Sequence, residues 1–294
     1  MDTPAKLPDY IARAYPYPGK MADVEWGEMH FTETGKGRPV LLIHGNPTWG
    51  YLYRKVMKVL EGKPLRLIAP DLIGLGLSHK PRSLAEHTLR HHGESMLRFV
   101  EKLDLKDIIL VVQDWGGPIG GWMAAHVPER VTGLVLMNTS LLKPNRFKTT
   151  AFHRFAQLPF ISDFAFRGLQ FPVRYMNRVQ GDPKSLSAPE KAAYLWPMRN
   201  PLDRAAPLAL ARMVPNGENH PSVAELARCD AWARSFKGPV EIVWGKKDPI
   251  LGRLLKRHQE AFPQNHTVET EAGHFLQEEV PELIAGAILK VAGL

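Results

Sequence analysis

Ile108-Ile109-Leu110-Val111-Val112-Gln113-Asp114-Trp115-Gly116-Gly117 carries a strand, a sharp turn and the start of a helix in ten residues. An apolar run of strand character stops at Asp114, and a glycine-spaced helical stretch begins directly after it. A strand turning sharply into a helix holds the residue at the turn on an exposed apex. This is the nucleophile elbow, usually read from G-x-S-x-G. Here Val112 takes the first glycine position and an aspartate the serine position. The exchange changes the chemistry. A carboxylate needs no base to remove a proton, and it can displace a leaving group from sp3 carbon to form an alkyl ester. The pattern points to alkyl-enzyme chemistry rather than ordinary ester hydrolysis.

Working outward, similar apolar runs recur. Pro39-Val40-Leu41-Leu42-Ile43 ends at His44-Gly45-Asn46-Pro47, and Leu65-Arg66-Leu67-Ile68-Ala69 ends at Pro70-Asp71. Residues 133–137 and 240–243 repeat the pattern, each soon followed by a polar or glycine residue. Such runs bounded by turn signals read as buried strands. Between them, residues 87–103 set Leu89, Met96, Val100 and Leu103 near one helical face. Strands alternating with helices predict an α/β fold with a mostly parallel central sheet flanked by helices. Val24-Glu25-Trp26 and Met29-His30-Phe31-Thr32 alternate apolar with polar and suggest an antiparallel hairpin at the sheet edge. From residue 140 to 215 the chain is rich in Phe, Pro, Arg and Leu and shows no convincing strand. This segment reads as a helical cap inserted over the C-terminal strand ends, where open α/β sheets bind ligands. The expected division is a core of residues 1–139 and 216–294 with a cap of residues 140–215.

Composition narrows the class. The 294 residues suffice for one large domain with a buried core. No run approaches the ~18 apolar residues of a membrane span, and the N-terminus lacks a basic-then-apolar leader. A cytoplasmic location is the expectation. Cys229 is the one cysteine, which excludes an internal disulfide and a Cys-based zinc site. The formal charge of +8 is spread along the chain, with small groups at Lys143-Pro144-Asn145-Arg146-Phe147-Lys148 and Arg253-Leu254-Leu255-Lys256-Arg257. Without an aromatic-interleaved basic stripe these read as solvated faces, and nucleic acid is not an expected partner. His87 and His91 are four apart on a helix but lack the glutamate of H-E-x-x-H, so no metal site is expected.

Taken singly, Asp114 could be a helix N-cap, Asp248 a turn residue before Pro249, and His274 a core or surface histidine. Together, Asp114, Asp248 and His274 follow the nucleophile–acid–histidine order of α/β-hydrolases. His44-Gly45-Asn46-Pro47-Thr48-Trp49, Pro70-Asp71-Leu72-Ile73-Gly74-Leu75-Gly76-Leu77-Ser78, Gln113-Asp114-Trp115-Gly116-Gly117 and Ala272-Gly273-His274-Phe275 resemble the haloalkane dehalogenases. The resemblance covers both core segments and is weaker across the cap. It implies the α/β-hydrolase fold and conversion of a small haloalkane and water to an alcohol and halide, without metal or organic cofactor. It further implies that Asp114 attacks the halogen-bearing carbon and that His274 activates water against the resulting ester. Asp248 would orient His274, while the Trp115 indole and Asn46 side-chain amide hold the halide. The backbone N–H groups of Asn46 and Trp115 would form the oxyanion hole.

Some members of that family carry the assisting acid after the strand ending Leu136-Met137-Asn138. Asn138 cannot serve as a carboxylate, so the chain resembles the subgroup with an Asp–His–Asp triad and an Asn–Trp halide pair. Trp196, the only cap tryptophan, then reads as packing, and Asp71 as a turn-stabilising carboxylate. Phe155, Phe160, Phe164, Phe166, Leu169 and Phe171 either line a substrate cavity or pack the cap. An epoxide hydrolase is the alternative, since it uses the same aspartate with cap tyrosines, for which Tyr175 and Tyr194 are candidates.

Overall fold

The computed structural model describes residues 6–294; Met1–Ala5, on which part of the leader reading rests, lie outside it. Strands β1 (Gly19–Asp23), β2 (Glu28–Gly35), β3 (Arg38–Ile43), β4 (Leu65–Pro70), β5 (Ile108–Asp114), β6 (Val131–Thr139), β7 (Val240–Gly245) and β8 (His266–Thr270) form one sheet. Its order is β1-β2-β4-β3-β5-β6-β7-β8. β2 is antiparallel to β1 and β4, and every other neighbouring pair is parallel. A parallel sheet covered on both faces needs continuous apolar strands. β5 meets that need, since Ile108, Ile109, Leu110, Val111 and Val112 are all fully buried. Each such side chain contributes about 1.5–3 kcal/mol of burial free energy.

One strand expectation is corrected. Val24-Glu25-Trp26 is the turn of the edge hairpin, not one of its strands. Glu25 and Gly27 take φ of 68° and 121°, left-handed conformations that interrupt an extended chain. The hairpin is built from β1 and β2, with Ala22 opposite Met29.

Helices α1 (Asp9–Ala14), α2 (Arg54–Val59), α3 (Leu89–Lys102) and α4 (Gly116–His126) precede the long insertion. Thr88 caps α3 by accepting from the His91 N–H at 3.1 Å, and Leu89, His92, Met96, Phe99 and Val100 form its buried face. Residues 140–215 contain no strand, only short helices such as Ala151–Ala156, Ala188–Leu195 and Ala205–Arg212 joined by tight turns. Part of this segment has its own small core of Ala156, Phe166, Leu208 and Ala211. Helix Ser222–Ser235 returns to the sheet layer and packs on α4, where Glu225 accepts from Trp122 Nε1 at 2.6 Å.

A buried ionic cluster ties the insertion to the sheet domain. Arg54 on α2 donates to both Glu278 carboxylate oxygens, at 2.6 and 2.8 Å, and to Glu190 of the insertion at 2.6 Å. The Tyr194 hydroxyl also donates to Glu278. Removing one partner would strand a buried charge, which typically costs ~3–5 kcal/mol. No helix among the described residues is long and apolar enough to cross a membrane.

Candidate active site

β3, β5 and β7 end at the same edge of the sheet; Asp114 is the last residue of β5, and the loops leaving β3 and β7 carry Asn46 and Asp248. The turn after β3 is braced by His44, whose Nδ1 hydrogen-bonds the Gly45 carbonyl at 2.9 Å and whose Nε2 accepts from Leu72 N at 2.9 Å. Asp71 braces the neighbouring loop. It accepts from the backbone N–H groups of Gly50 and Leu77, both at 2.7 Å, and pairs with His30 at 2.9 Å. Burial alone would raise its pKa, but the histidines and the Leu77 N–H hold it below the ordinary carboxylate value. Asp71 is thus a loop organiser, as its setting in the sequence suggested.

Asp114 occupies a strained position with φ of 48°, held where β5 slips register against β6 and the Thr139 hydroxyl donates to its carbonyl at 2.6 Å. Non-glycine residues with positive φ cost backbone energy and gather at functional turns. The approach is close enough to require glycine on both flanks. A Cβ on Gly45 would sit 2.4 Å from Asp114 Cβ, and one on Gly116 would sit 2.2 Å from the Ile43 carbonyl oxygen.

The carboxylate faces three groups. Its Oδ1 accepts from Asn46 N at 2.7 Å, its Oδ2 lies 3.6 Å from His274 Nε2, and the Trp115 backbone N–H favours its charge. Burial raises the Asp114 pKa, and His274 with the two N–H groups only partly offsets that rise. On its other side, His274 Nδ1 bonds Asp248 Oδ2 at 2.8 Å. Burial depresses the imidazole, but Asp248, with help from Asp114, outweighs it and lifts His274 above the ordinary histidine value. Asp248 is itself held below the usual carboxylate range: burial opposes this, while His274, Asn138 and the Ile250 N–H favour its charge.

The halide-binding candidates differ in their state. The Trp115 indole N–H makes no hydrogen bond among the described residues and its ring lines the cavity. One Asn46 amide N–H donates to the Pro207 carbonyl at 2.9 Å, while Oδ1 is buried without a partner. An amide has two N–H bonds, so one remains for an anion.

Asp114, Trp115, Asn46 and His274 meet in a cavity of about 750 Å³, within the range of small-molecule sites. The aromatic residues left open by sequence divide. Phe155, Leu169 and Phe171 line the cavity, Phe166 is buried in the insertion's small core, and Phe160 and Phe164 are 85% and 66% exposed. Trp196 stacks beneath the Arg199 guanidinium, 4.7 Å away, and lies outside the cavity wall. Tyr175 lines the cavity, whereas the Tyr194 hydroxyl is committed to Glu278. Among the described residues no group of His, Cys, Asp and Glu is arranged to hold a metal ion.

Several supporting groups were not legible in the sequence. Asn138 donates to Asp248 Oδ2 at 2.8 Å and to the Gly245 carbonyl at 2.9 Å. The Val179 carbonyl accepts from His274 N at 2.8 Å, and Gln113 donates to the His274 carbonyl at 3.0 Å. The contacts through Pro207 and Val179 use backbone carbonyls, which any residue supplies. Asn138 had a signal, an amide at a strand end two strands from the histidine, but amides there are common.

The family model for the alpha/beta hydrolase fold matches residues 38–281. Haloalkane dehalogenase 2 of Mycobacterium tuberculosis is 32% identical over 282 residues, covering 95% of this chain and 96% of the relative. A haloalkane dehalogenase of Mycobacterium marinum is 34% identical over 284 residues, 92% of each chain. Among solved structures, haloalkane dehalogenase DatA from Agrobacterium tumefaciens superposes with a TM-score of 0.84 at 27% identity, covering 94% of this chain and 96% of that one.

Proposed function

The chain belongs to the haloalkane dehalogenase family within the alpha/beta hydrolase fold, and from that premise we propose hydrolytic dehalogenation through an alkyl ester on Asp114. The activity is that of a hydrolase acting on carbon–halide bonds. The observation carrying the finer reading is the line Asp114 Oδ2, His274 Nε2, His274 Nδ1 and Asp248 Oδ2, with separations of 3.6 and 2.8 Å, opening into an apolar cavity beside an unpaired indole N–H.

In this reading residues 140–215 are the cap, and the haloalkane sits between cap and sheet edge. Asp114 attacks the halogen-bearing carbon in line. The bond to halogen breaks as the ester bond forms, and halide departs toward Trp115 Nε1 and the spare Asn46 N–H. Both donors are uncharged, so they stabilise the developing anion and still let it leave. His274 Nε2 then takes a proton from water, which attacks the ester carbonyl carbon. The oxyanion rests on the Asn46 and Trp115 backbone N–H groups. Asp248 fixes the tautomer of His274 and stabilises its cation. Collapse breaks the bond to the alkoxide oxygen, which takes the proton from His274 and leaves as the alcohol, and Asp114 loses the remaining water proton to solvent.

Forming the ester also tunes the base. Ionised Asp114 is one of the groups raising His274; once esterified it is neutral, so His274 gives up its proton more easily when it must act as base. The Asp–His–Asp triad with an Asn–Trp halide pair is the family subgroup this reading selects. The epoxide alternative needs two cap tyrosines, and the Tyr194–Glu278 bond argues against it. Halide release from terminal bromoalkanes, compared with diol formation from terminal epoxides, tests the reading. Diol without halide release would reject it.

A further inference from the structure

A second cavity of about 310 Å³ joins the first and shares Asp114, Trp115, His153 and Ile250 with it. Its walls are chemically different. Arg146, Lys148, Arg253 and Arg257 stand around it, and Asp114 is the one carboxylate among its lining residues. The first two come from the loop after β6 and the last two from the segment after β7. These are the two small basic groups that look like separate solvated faces in the sequence. Arg146, Lys148 and Arg253 are exposed, as a solvated face requires, and folding brings all four cations to one opening.

None of the four has an acidic partner among the described residues. Arg253 donates to the Ile250 and Lys148 carbonyls at 2.8 and 3.3 Å, and Arg257 to the Lys143 carbonyl and to Asn145 Oδ1. Arg146 and Lys148 make no side-chain hydrogen bond there. Cations elsewhere on the surface are commonly paired, as in Arg212–Asp163 at 2.8 Å and Lys246–Glu271 at 2.7 Å. Like charges left unpaired around a concave mouth repel one another and focus a positive potential into it. His153, on the wall between the two cavities, lies within that field: burial and then Arg253 hold its pKa at about 4, so it stays neutral.

Resting on the assignment of Asp114 as nucleophile, we propose that the preferred substrates are haloalkyl chains ending in an anionic group such as a carboxylate. The halogen-bearing carbon lies at Asp114, and the anionic end lies among Arg146, Lys148, Arg253 and Arg257. The chemistry is unchanged: Asp114 forms the ester, halide leaves, and water returns a hydroxylated anion. The cations bind and orient the substrate and touch no reacting atom.

The test compares kcat/KM for ω-bromohexanoate, ω-bromohexanamide and bromohexane in the whole protein at low ionic strength. The carboxylate should exceed the amide by about tenfold, and the ratio should shrink as sodium sulfate is added. The double variant Arg146→Gln/Arg253→Gln should bring the ratio close to unity, while Arg253→Lys should keep most of it. A ratio near unity in the unaltered protein, with bromide still released, overturns the anionic-substrate proposal and leaves the dehalogenase reading standing. A ratio that survives the double variant overturns it as well. So does a double variant that changes bromide inhibition but not the ratio, because the cations would then serve the departing halide. Release of bromide from none of the three substrates overturns the dehalogenase reading itself.

Discussion

The Asn138 side-chain amide donates to Asp248 Oδ2 at 2.8 Å, the same oxygen that bonds His274 Nδ1. Asn138 therefore has a part in the site although it carries no acid. Its amide also bridges to both the carbonyl and the N–H of Gly245, which fixes the start of the loop bearing Asp248. We assign it a positioning role. Asn138→Ala should slow ester hydrolysis roughly ten- to hundredfold, as loss of one hydrogen bond to a charged group costs ~1.5–3 kcal/mol. Asp248→Asn should cost far more, on the order of the 10⁴-fold seen when a serine-protease triad acid is amidated. Single-turnover kinetics separate the two. Equal losses in the variants would remove the distinction between acid and support.

His274→Phe should still release halide once per active site but stall afterward, since attack by Asp114 needs no base. A stoichiometric bromide burst followed by silence is the expected trace. Continued turnover would take His274 out of the base role.

The pH dependence follows from the direction of the shifts. His274 is raised in the free protein, first against burial and chiefly by Asp248, so its NMR titration midpoint should lie above the ordinary histidine value. In the proposed mechanism hydrolysis needs the neutral imidazole, so it should fail as pH drops through the His274 pKa. Asp248→Asn removes the largest raising influence and leaves burial to act, so the midpoint should move down while the rate plateau falls. An upward move would contradict the pairing.

Halide affinity reads the donors directly. Trp115→Phe removes the indole N–H and should weaken chloride binding about tenfold, or ~1.4 kcal/mol. Asn46→Ala removes the spare amide N–H and also the tie to Pro207, so it should weaken binding and lower the first-step rate together. Unchanged chloride titrations in both variants would reject the pair.

Much of this molecule is legible in its sequence. Mainly apolar runs ending in polar or glycine residues identify β3 to β7, because strands covered on both faces are mostly apolar; Arg66 in β4 and Glu241 in β7 are tolerated because each is ion-paired. β8 was not legible: it is an edge strand, exposed or half-buried from His266 to Glu269, and its alternation is weak. The chain order of Asp114, Asp248 and His274 was readable because each ends or follows a strand. The Asn138–Asp248 bond was not, since it joins two strand ends 110 residues apart. The aromatic residues of the cap separated only in three dimensions, because wall, core and surface phenylalanines look alike in one dimension. The basic mouth was hidden for the same reason.

The central claim is that the product oxygen comes from Asp114 rather than directly from water. With enzyme in excess over a bromoalkane in oxygen-18 water, one turnover should give alcohol containing ordinary oxygen, and one oxygen-18 atom should appear in the peptide carrying Asp114. Alcohol labelled with oxygen-18 in that first turnover, with no label in Asp114, would contradict the account.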